Sequence, residues 1–157
     1  VENLIPLFIT KAAQNEPLPV YGTGKNVRDW LFTRDHCEAI FLILEKGKIG
    51  EIYNIGADNE QENLTVTELI LSTLGKPKEL IKFVEDRSGH DERYAMGYDK
   101  LKAELGWSPR TSFEEGMQQT IEWYTLNAYE RSYSSWRNRV KARTADQSHE
   151  QASAANL

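Results

Sequence analysis

The chain has 157 residues, 39% hydrophobic and 27% charged, which is the composition of a soluble globular protein with one modest core. Its formal net charge of −5 argues against a general nucleic-acid surface, and no run approaches the ~20 apolar residues that span a bilayer. The single cysteine, Cys37, excludes an internal disulfide and has no histidine cluster beside it, so we expect a buried, inert thiol and no metal site. These features favour a cytoplasmic protein without nucleic-acid or membrane partners.

A helix and a hairpin are predicted at the start of the chain. Apolar residues at helical spacing predict a helix over residues 1–15, with Pro6 in its first turn, where the missing N–H costs little. Two β-type runs, 18–21 and 27–32, then flank a short turn rich in glycine. This arrangement is typical of a β-hairpin.

Arg28 is the first candidate for a binding residue. Strand alternation puts it on the same face as Trp30 and Phe32, where an unpaired charge would be costly to bury. Its planar fork of donors suits a phosphate or carboxylate held at two points. The alternative is a local ion pair with Asp29 or Asp35.

A second helix is predicted from Thr33, as N-cap, to Lys46, with Gly47 closing it. Its centre, residues 39–44, is apolar all round, so we expect it to need cover on more than one side. If that cover is incomplete, the helix should expose apolar surface that binds hydrophobic dyes or aggregates.

The middle of the chain predicts a strand, a loop and a helix. Residues 51–56 read as a strand in which Asn54 is the one polar side chain within an apolar run. Residues 57–63 form a polar loop, and the capping box Thr65–Glu68 opens the next helix. As an alternative to a binding role, Asn54 could bond its own backbone at a strand end.

The loop after a short strand at 80–84 is the second candidate site. Residues 85–93 place four carboxylates and three cationic or titratable basic side chains around Gly89. Such a run is commonly a solvated surface, and a histidine there, His90, is commonly a surface residue. The residue types alone leave both interpretations open.

The last predicted elements are two helices and a tail. Asp99 caps a short helix that Gly106 ends, and the capping box Ser112–Glu115 starts a long one. Residues 137–157 are polar, and residues 144–157 are rich in Ala, Ser, Gln and Asn, so we expect disorder in this tail.

Four stretches of the chain carry recognisable motifs. They are Pro-Leu-Pro-Val-Tyr-Gly at 17–22 with Val-Arg-Asp-Trp-Leu at 27–31 and Asp-His-Cys at 35–37, Tyr-Asn-Ile-Gly at 53–56, Asp-Arg-Ser-Gly-His-Asp-Glu-Arg-Tyr-Ala at 86–95, and a C-terminal signature between 99 and 124. Together they resemble the dTDP-glucose 4,6-dehydratases, extended short-chain dehydrogenase/reductases that act on nucleotide sugars. The resemblance implies a mixed α/β fold in which residues 1–136 are the C-terminal substrate-binding part, with small sheets and packed helices.

The resemblance also assigns substrate-binding roles. Pro19, Val20 and Tyr21 would border the thymidine, and Arg28 and Asn54 would meet the diphosphate. The remaining residues carried over are a pair at the chain start and five in the loop after the strand at 80–84: Asn3, Leu4, Asp86, Arg87, Ser88, Gly89 and His90. Two of these depart from the family pattern. Ser88 replaces a proline, which should leave the loop less pre-organised, and Asn3 replaces a lysine, which removes a positive charge.

By this resemblance the full-length enzyme is an NAD-dependent lyase. It oxidises the sugar at C4, removes water across C5–C6 and reduces C6, giving dTDP-4-keto-6-deoxyglucose. The resemblance places NAD, the Rossmann half and the catalytic residues in an N-terminal part outside this sequence, which agrees with an incomplete Gly-x-Gly-x-x-Gly at 22–27. We therefore expect a fragment without catalytic, cofactor-binding or metal residues, inactive alone, with a homodimer possible only for the full-length protein.

Two alternatives stay open. One is another nucleotide-sugar epimerase or decarboxylase of the same superfamily, because the C-terminal signature is shared. The other is a non-catalytic nucleotide-binding module made of this chain alone. Tight binding of dTDP without NAD would favour the module, whereas we expect weak binding or none.

Overall fold

Five α-helices, one 3₁₀-helix (Lys78–Leu80) and five strands form within residues 3–127, the part of the chain that this computed structural model describes. The helices are α1 (Leu4–Ala13), α2 (Thr33–Lys46), α3 (Asn63–Thr73), α4 (Asp99–Leu105) and α5 (Phe113–Asn127). The strands are β1 (Leu18–Tyr21), β2 (Val27–Asp29), β3 (Glu60–Glu62), β4 (Ile81–Val84) and β5 (Arg93–Tyr94). The mixed α/β class with small sheets is confirmed.

The strands form two separate sheets. β1 pairs in parallel with β4, from Leu18 opposite Ile81 to Tyr21 opposite Val84. β2 lies between β3, to which it is antiparallel, and β5, to which it is parallel. Both parallel pairings join strands that are distant in sequence.

The predicted hairpin of β1 and β2 is therefore wrong, as the two strands lie in different sheets. The turn between them bonds elsewhere: the Gly24 carbonyl accepts from Leu64 N at 2.9 Å, and the Asn26 carbonyl accepts from Asn63 N at 3.0 Å. These are orphan N–H groups of the first turn of α3, so the turn caps that helix. It also directs the chain away from β1, and the second strand ends at Asp29, short of the predicted residue 32.

The same contact explains why α3 begins at Asn63, before the predicted capping box. Thr65 and Glu68 do not form that box; Glu68 instead pairs with Lys78. The box predicted at the start of α5 is confirmed, because Glu115 N donates to Ser112 Oγ at 3.2 Å and Ser112 N donates to Glu115 Oε2 at 3.1 Å.

The larger core packs α1, β1, α3 and α5 together. Its buried members are Phe8, Ile9, Ala12, Leu18, Val20, Val66, Ile70, Leu71, Phe113, Met117 and Ile121. Each large side chain of this kind contributes about 1.5–3 kcal/mol when fully buried. This cluster therefore fixes the position of β1, whose last residues reach the candidate site.

A smaller cluster covers only one side of α2. Ala39 is buried with Leu101 and Trp107, whereas Phe41 is 67% exposed and Leu44 is 76% exposed. Cys37 is also exposed, so the prediction of a buried thiol is wrong. The reason is its position one helical turn from the exposed Phe41, on the side of α2 that no described residue covers.

The predicted strand at 51–56 does not form, since residues 51–57 have no regular secondary structure. A strand needs a ladder partner, and this segment is held differently. Asp29 accepts from Ala57 N at 2.7 Å and from Asn59 N at 2.8 Å, and Gly56 lies against the Met96 carbonyl. The strand β3 forms instead in what was predicted as a polar loop.

The tail predicted at 137–157, and the domain boundary at 136, lie outside the described residues and stay predictions. Among residues 3–127, no helix combines the length and the apolar character that crossing a membrane requires.

Candidate functional site

The carboxyl ends of β1 and β4 lie side by side. Tyr21 is opposite Val84 in the parallel register, and Gly22 N donates to the Val84 carbonyl at 2.9 Å. The chain that leaves β4, residues 85–92, therefore begins beside the turn that leaves β1. Ligands of α/β proteins commonly bind at such an edge, beyond the carboxyl ends of parallel strands.

Asp86 and His90 form a pair within this loop. Asp86 Oδ1 lies 2.7 Å from His90 Nδ1 and accepts from Arg87 N at 2.9 Å. The hydrogen bond from His90 holds the pKa of the Asp86 carboxyl below its ordinary value, and the Arg87 amide acts in the same direction. The His90 side chain is only 6% exposed, and its ring meets the Tyr21 ring edge to face at 6.1 Å between centroids.

The loop closes through a tight turn over residues 87–90. His90 N donates to the Arg87 carbonyl at 3.3 Å, and Gly89 has φ of +70°. A positive φ at the third position is the signature of a type II turn, in which proline is favoured at the second position. Ser88 occupies that second position, so the turn forms here without the proline of the resembled family.

Arg28 reaches the same loop from β2. Its Nη1 donates to the Val27 carbonyl at 2.7 Å and its Nη2 donates to the Asp91 carbonyl at 3.0 Å. Asp91 is the residue after His90, so Arg28 and the Asp86–His90 pair belong to one cluster.

The local ion pair considered for Arg28 does not form. Asp29 accepts from Ala57 N and Asn59 N, and Asp35 is 2% exposed and accepts from the backbone of Arg110 and Thr111. Among the described residues, no carboxylate lies within salt-bridge distance of the Arg28 guanidinium, and its two hydrogen bonds use two of five N–H donors. A half-buried guanidinium with donors to spare is suited to an anion.

No recorded contact places Asn54 beside β2 or the loop of His90 within residues 3–127. It is exposed, and its segment is anchored at Asp29, the neighbour of Arg28 in β2. No hydrogen bond within residues 3–127 joins Asn54 to Arg28 or His90. The structure thus brings Arg28 and the His90 loop together and leaves Asn54 on the adjoining segment.

The other predicted site residues divide by exposure. Tyr21 is 48% exposed beside His90, and Pro19 is half-buried on the same face of β1. Val20 has its side chain in the larger core, so any contact with a ligand would go through its main chain. Asn3 and Leu4 lie at the start of α1, where Leu4 packs against the larger core. No recorded hydrogen bond ties either residue to the loop.

Sequence reasoning missed Asn26 as a residue that holds the cluster together. Asn26 is 9% exposed, and its Nδ2 donates to the Asp91 carbonyl at 3.2 Å, while Val27 N donates to Glu92 O at 2.7 Å. These bonds fix the start of β2 to the loop. The sequence does show an asparagine in a turn. Such a residue is usually interpreted as stabilising the turn itself, so its long-range hydrogen bond was not predicted.

Comparisons with known proteins identify the family of this chain. A model of the GDP-mannose 4,6 dehydratase family matches residues 1–120. This chain belongs to that family. A curated relative, the dTDP-glucose 4,6-dehydratase of Xanthomonas campestris pv. campestris, is 53% identical over 135 residues, which are 80% of this chain and 38% of the relative. The family resemblance predicted from the motifs is confirmed.

Solved structures of dehydratases and epimerases that act on nucleotide sugars share the fold of this chain. The dTDP-glucose 4,6-dehydratase of Bacillus anthracis, solved in complex with NAD, has a TM-score of 0.77 and 49% identity, and the match covers 82% of this chain and 40% of that one. The UDP-glucose 4-epimerase of Thermotoga maritima, solved with UDP-glucose, has a TM-score of 0.76 and 28% identity, over 80% and 40%. The chain thus spans about two fifths of the length of these relatives.

The one sequence match to a dinucleotide-binding turn does not fit the pyrophosphate of an NAD molecule. The glycine turn at 22–24 leads into β2 and not into a helix N-terminus, where a dinucleotide pyrophosphate binds. Its Gly24 carbonyl is bonded to Leu64 N, and the space beside Gly24 is filled by the side chains of Val20 and Leu64. Within residues 3–127 no three His, Cys, Asp or Glu side chains are grouped to hold a metal ion.

Proposed function

We propose that this chain is the nucleotide-sugar-binding part of a dTDP-glucose 4,6-dehydratase, an NAD-dependent lyase. The observation that carries the proposal is the link between Arg28 and the Asp86–His90 loop through Asp91, beside the carboxyl ends of β1 and β4. The 53% identity to a curated dTDP-glucose 4,6-dehydratase supports the choice of substrate.

The chemistry of the cluster suits a nucleoside diphosphate. Arg28 offers charge-assisted donors without a competing carboxylate, and Arg87 and His90 add two more groups that can carry positive charge. Tyr21 presents an exposed aromatic ring beside them, which suits the nucleoside. We assign Pro19 and the Val20 main chain to the nucleoside, and Asn54 to the diphosphate or the sugar.

Binding energy from the nucleoside and the diphosphate would position the sugar for a reaction elsewhere. We propose that the catalytic residues and the NAD site belong to the part of the relatives that this chain does not match. This chain alone would then be inactive, and both a homodimer and a cytoplasmic location would be properties of the complete enzyme.

A UDP-sugar epimerase is the second candidate. The epimerase of Thermotoga maritima has nearly the same TM-score as the dehydratase from Bacillus anthracis, so the fold does not choose between the reactions. The higher identity to the dehydratase favours the first candidate.

A chimera tests the proposal. Residues 3–127 would replace the matched 40% of the Bacillus anthracis dehydratase, so that the donor supplies the reaction and this chain supplies the recognition. We expect turnover of dTDP-glucose and little turnover of UDP-glucose, measured as the ratio of the two kcat/KM values.

Two variants of the chimera sharpen the result. Arg28→Ala should reduce kcat/KM for dTDP-glucose by about tenfold or more, the effect of one charge-assisted contact. Lys25→Ala removes a neighbouring exposed cation that makes no ion pair in the described structure and should change little. A preference for UDP-glucose would support the epimerase, and a folded chimera that binds neither nucleotide sugar would contradict both.

A further inference from the structure

We propose that Asp86 is a positioning residue that holds His90 by Nδ1 and leaves Nε2 to the ligand, and that residue 22 is glycine because Asp86 occupies the space of its side chain. The inference rests on the proposed function and changes the role of Asp86, which the family resemblance treats as a residue of the pocket wall.

Asp86 has one oxygen hydrogen-bonded within the chain and the other beside the Gly22 backbone. Oδ1 accepts from Arg87 N at 2.9 Å and from His90 Nδ1 at 2.7 Å. Oδ2 lies 2.8 Å from where a Cβ on Gly22 would be placed. A carboxylate also repels a diphosphate. Asp86 is therefore suited to orient a neighbour and unsuited to touch the anion.

The pair defines which ring nitrogen of His90 can meet a ligand. An ionised carboxylate only accepts hydrogen bonds, so Nδ1 must carry the proton. Nε2 is then available, as an acceptor in the neutral ring or as a donor to a phosphate oxygen in the charged ring. His90 Nε2 makes no hydrogen bond among the described residues and is not completely buried, although the side chain as a whole is only 6% exposed.

The Gly22 backbone is held in place and cannot shift to make room for a side chain. Its N–H is bonded to the Val84 carbonyl at 2.9 Å, at the end of the β1–β4 ladder, and its φ is +54°. A methyl group at this position would therefore displace the Asp86 carboxylate and not the backbone. Gly22 and Asp86 should act as one unit on His90.

The first test uses the 157-residue chain, labelled with ¹⁵N and without ligand. The ring nitrogens of His90, assigned with His90→Gln, should show a proton on Nδ1. Asp86→Ala and Gly22→Ala should both abolish that preference, whereas Asp86→Asn should keep it, because an amide oxygen can accept the same bond. Glu85→Gln removes a charge from the same loop and should leave the ring unchanged.

Gly75→Ala is the matched control for backbone strain. Gly75 has a similar φ of +62°, but nothing lies within 4 Å of a Cβ placed there. It should cost stability without changing His90.

The second test is a titration of the same chain with dTDP at millimolar concentration, followed by NMR. Asp86→Ala and Gly22→Ala should each weaken binding by roughly tenfold. Because the two changes act through one contact, the double variant should bind no more weakly than Asp86→Ala.

The outcomes separate this inference from the function that it rests on. A His90 ring unaffected by Asp86→Ala or Gly22→Ala, or an affinity that these changes leave intact, overturns the positioning role and leaves the proposed function standing. A wild-type chain with the Nδ1 proton in place that shows no shifts with dTDP overturns the inference for this chain, and the chimera then decides whether the proposed function fails with it.

Discussion

Gly56 shows how a single residue can be fixed by a contact that its own segment does not reveal. The motif Tyr-Asn-Ile-Gly suggested a strand that ends at a glycine. In the structure there is no strand, and a Cβ on Gly56 would overlap the Met96 carbonyl oxygen. Glycine is therefore required at this position by a distant part of the backbone that passes close to it. The spacing of residues within the local segment cannot predict such a contact.

Gly56→Ala should be strongly destabilising. The clash is between backbone and backbone, so relief requires the segment around Gly56 or the irregular segment at Met96, after β5, to move, at a cost of about 1–3 kcal/mol or more. Gly97→Ala is the matched control, because its Cβ would meet Asp99 Oδ2 at an ordinary 3.4 Å. Urea denaturation of both variants measures the difference; equal stabilities would mean that the crossing is not as close as described.

Ser88→Pro should stabilise the loop. The residue sits at the second position of a type II-like turn, and its N–H makes no recorded hydrogen bond, so proline removes unfolded-state freedom without removing a contact. We expect a gain of about 0.4–1 kcal/mol in thermal unfolding. Ser88→Ala should give no such gain, and a loss with proline would show that the backbone at 88 is incompatible with it.

At the scale of elements, prediction of local caps succeeded for α5 but was wrong for α2 and α4, whose N-cap residues are Phe32 and Tyr98 and not the predicted Thr33 and Asp99. The capping box at Ser112 lies next to the helix that it starts, and α5 begins there. Prediction from sequence also failed for α3, whose cap comes from the Gly24 and Asn26 carbonyls about forty residues earlier. It failed for β1 as well, because the partner of β1 is β4. Long-range partners cannot be derived from the spacing of residues within one segment.

The sheet of β3, β2 and β5 should depend on pH through one ion pair. Glu60 receives two hydrogen bonds from Arg93 at 2.6 Å, which hold the pKa of Glu60 below its ordinary value of 4.5. The folded state thus favours the ionised carboxylate. The stabilisation from the Glu60–Arg93 pair is fully present when the pH is above the ordinary pKa of Glu60. It is lost as the pH falls through the lowered pKa of the folded state.

Glu60→Gln should therefore reduce stability at about pH 7 and reduce it less at about pH 3, because the stabilisation by the ionised carboxylate is lost as the pH falls through the lowered pKa of Glu60. Chemical denaturation at both pH values measures this. Glu62→Gln, on the same strand and without a recorded ion pair, should show no such dependence on pH. A Glu60→Gln effect that is undiminished at low pH would assign the cost to packing.

At the scale of the molecule, the sequence predicted that Arg28 and the loop around His90 serve one site, and the structure joins them through Asp91. It also predicted that α2 needs cover on more than one side. The described residues cover one side only, and an apolar stripe of Cys37, Ile40, Phe41 and Leu44 stays exposed. The cover of this stripe could not be predicted from the sequence, because these 157 residues match only about two fifths of the length of their relatives.

This stripe should bind a hydrophobic dye. The double variant Phe41→Glu and Leu44→Lys should reduce dye fluorescence markedly and change stability by no more than about 0.5 kcal/mol, because both side chains are exposed. Leu126→Lys alters an exposed leucine on α5 and should leave most of the fluorescence. Fluorescence that survives the double variant would place the dye elsewhere.

The turn at 22–26 has a practical consequence for anyone who engineers this chain. Its glycines and lysine make it look like a permissive connector, suitable for a tag or an inserted peptide. In fact it ends one sheet, begins the other and satisfies the first amides of α3. Epitope insertion is better directed to Lys48–Gly50, where Ile49 is fully exposed and Gly50 borders open space.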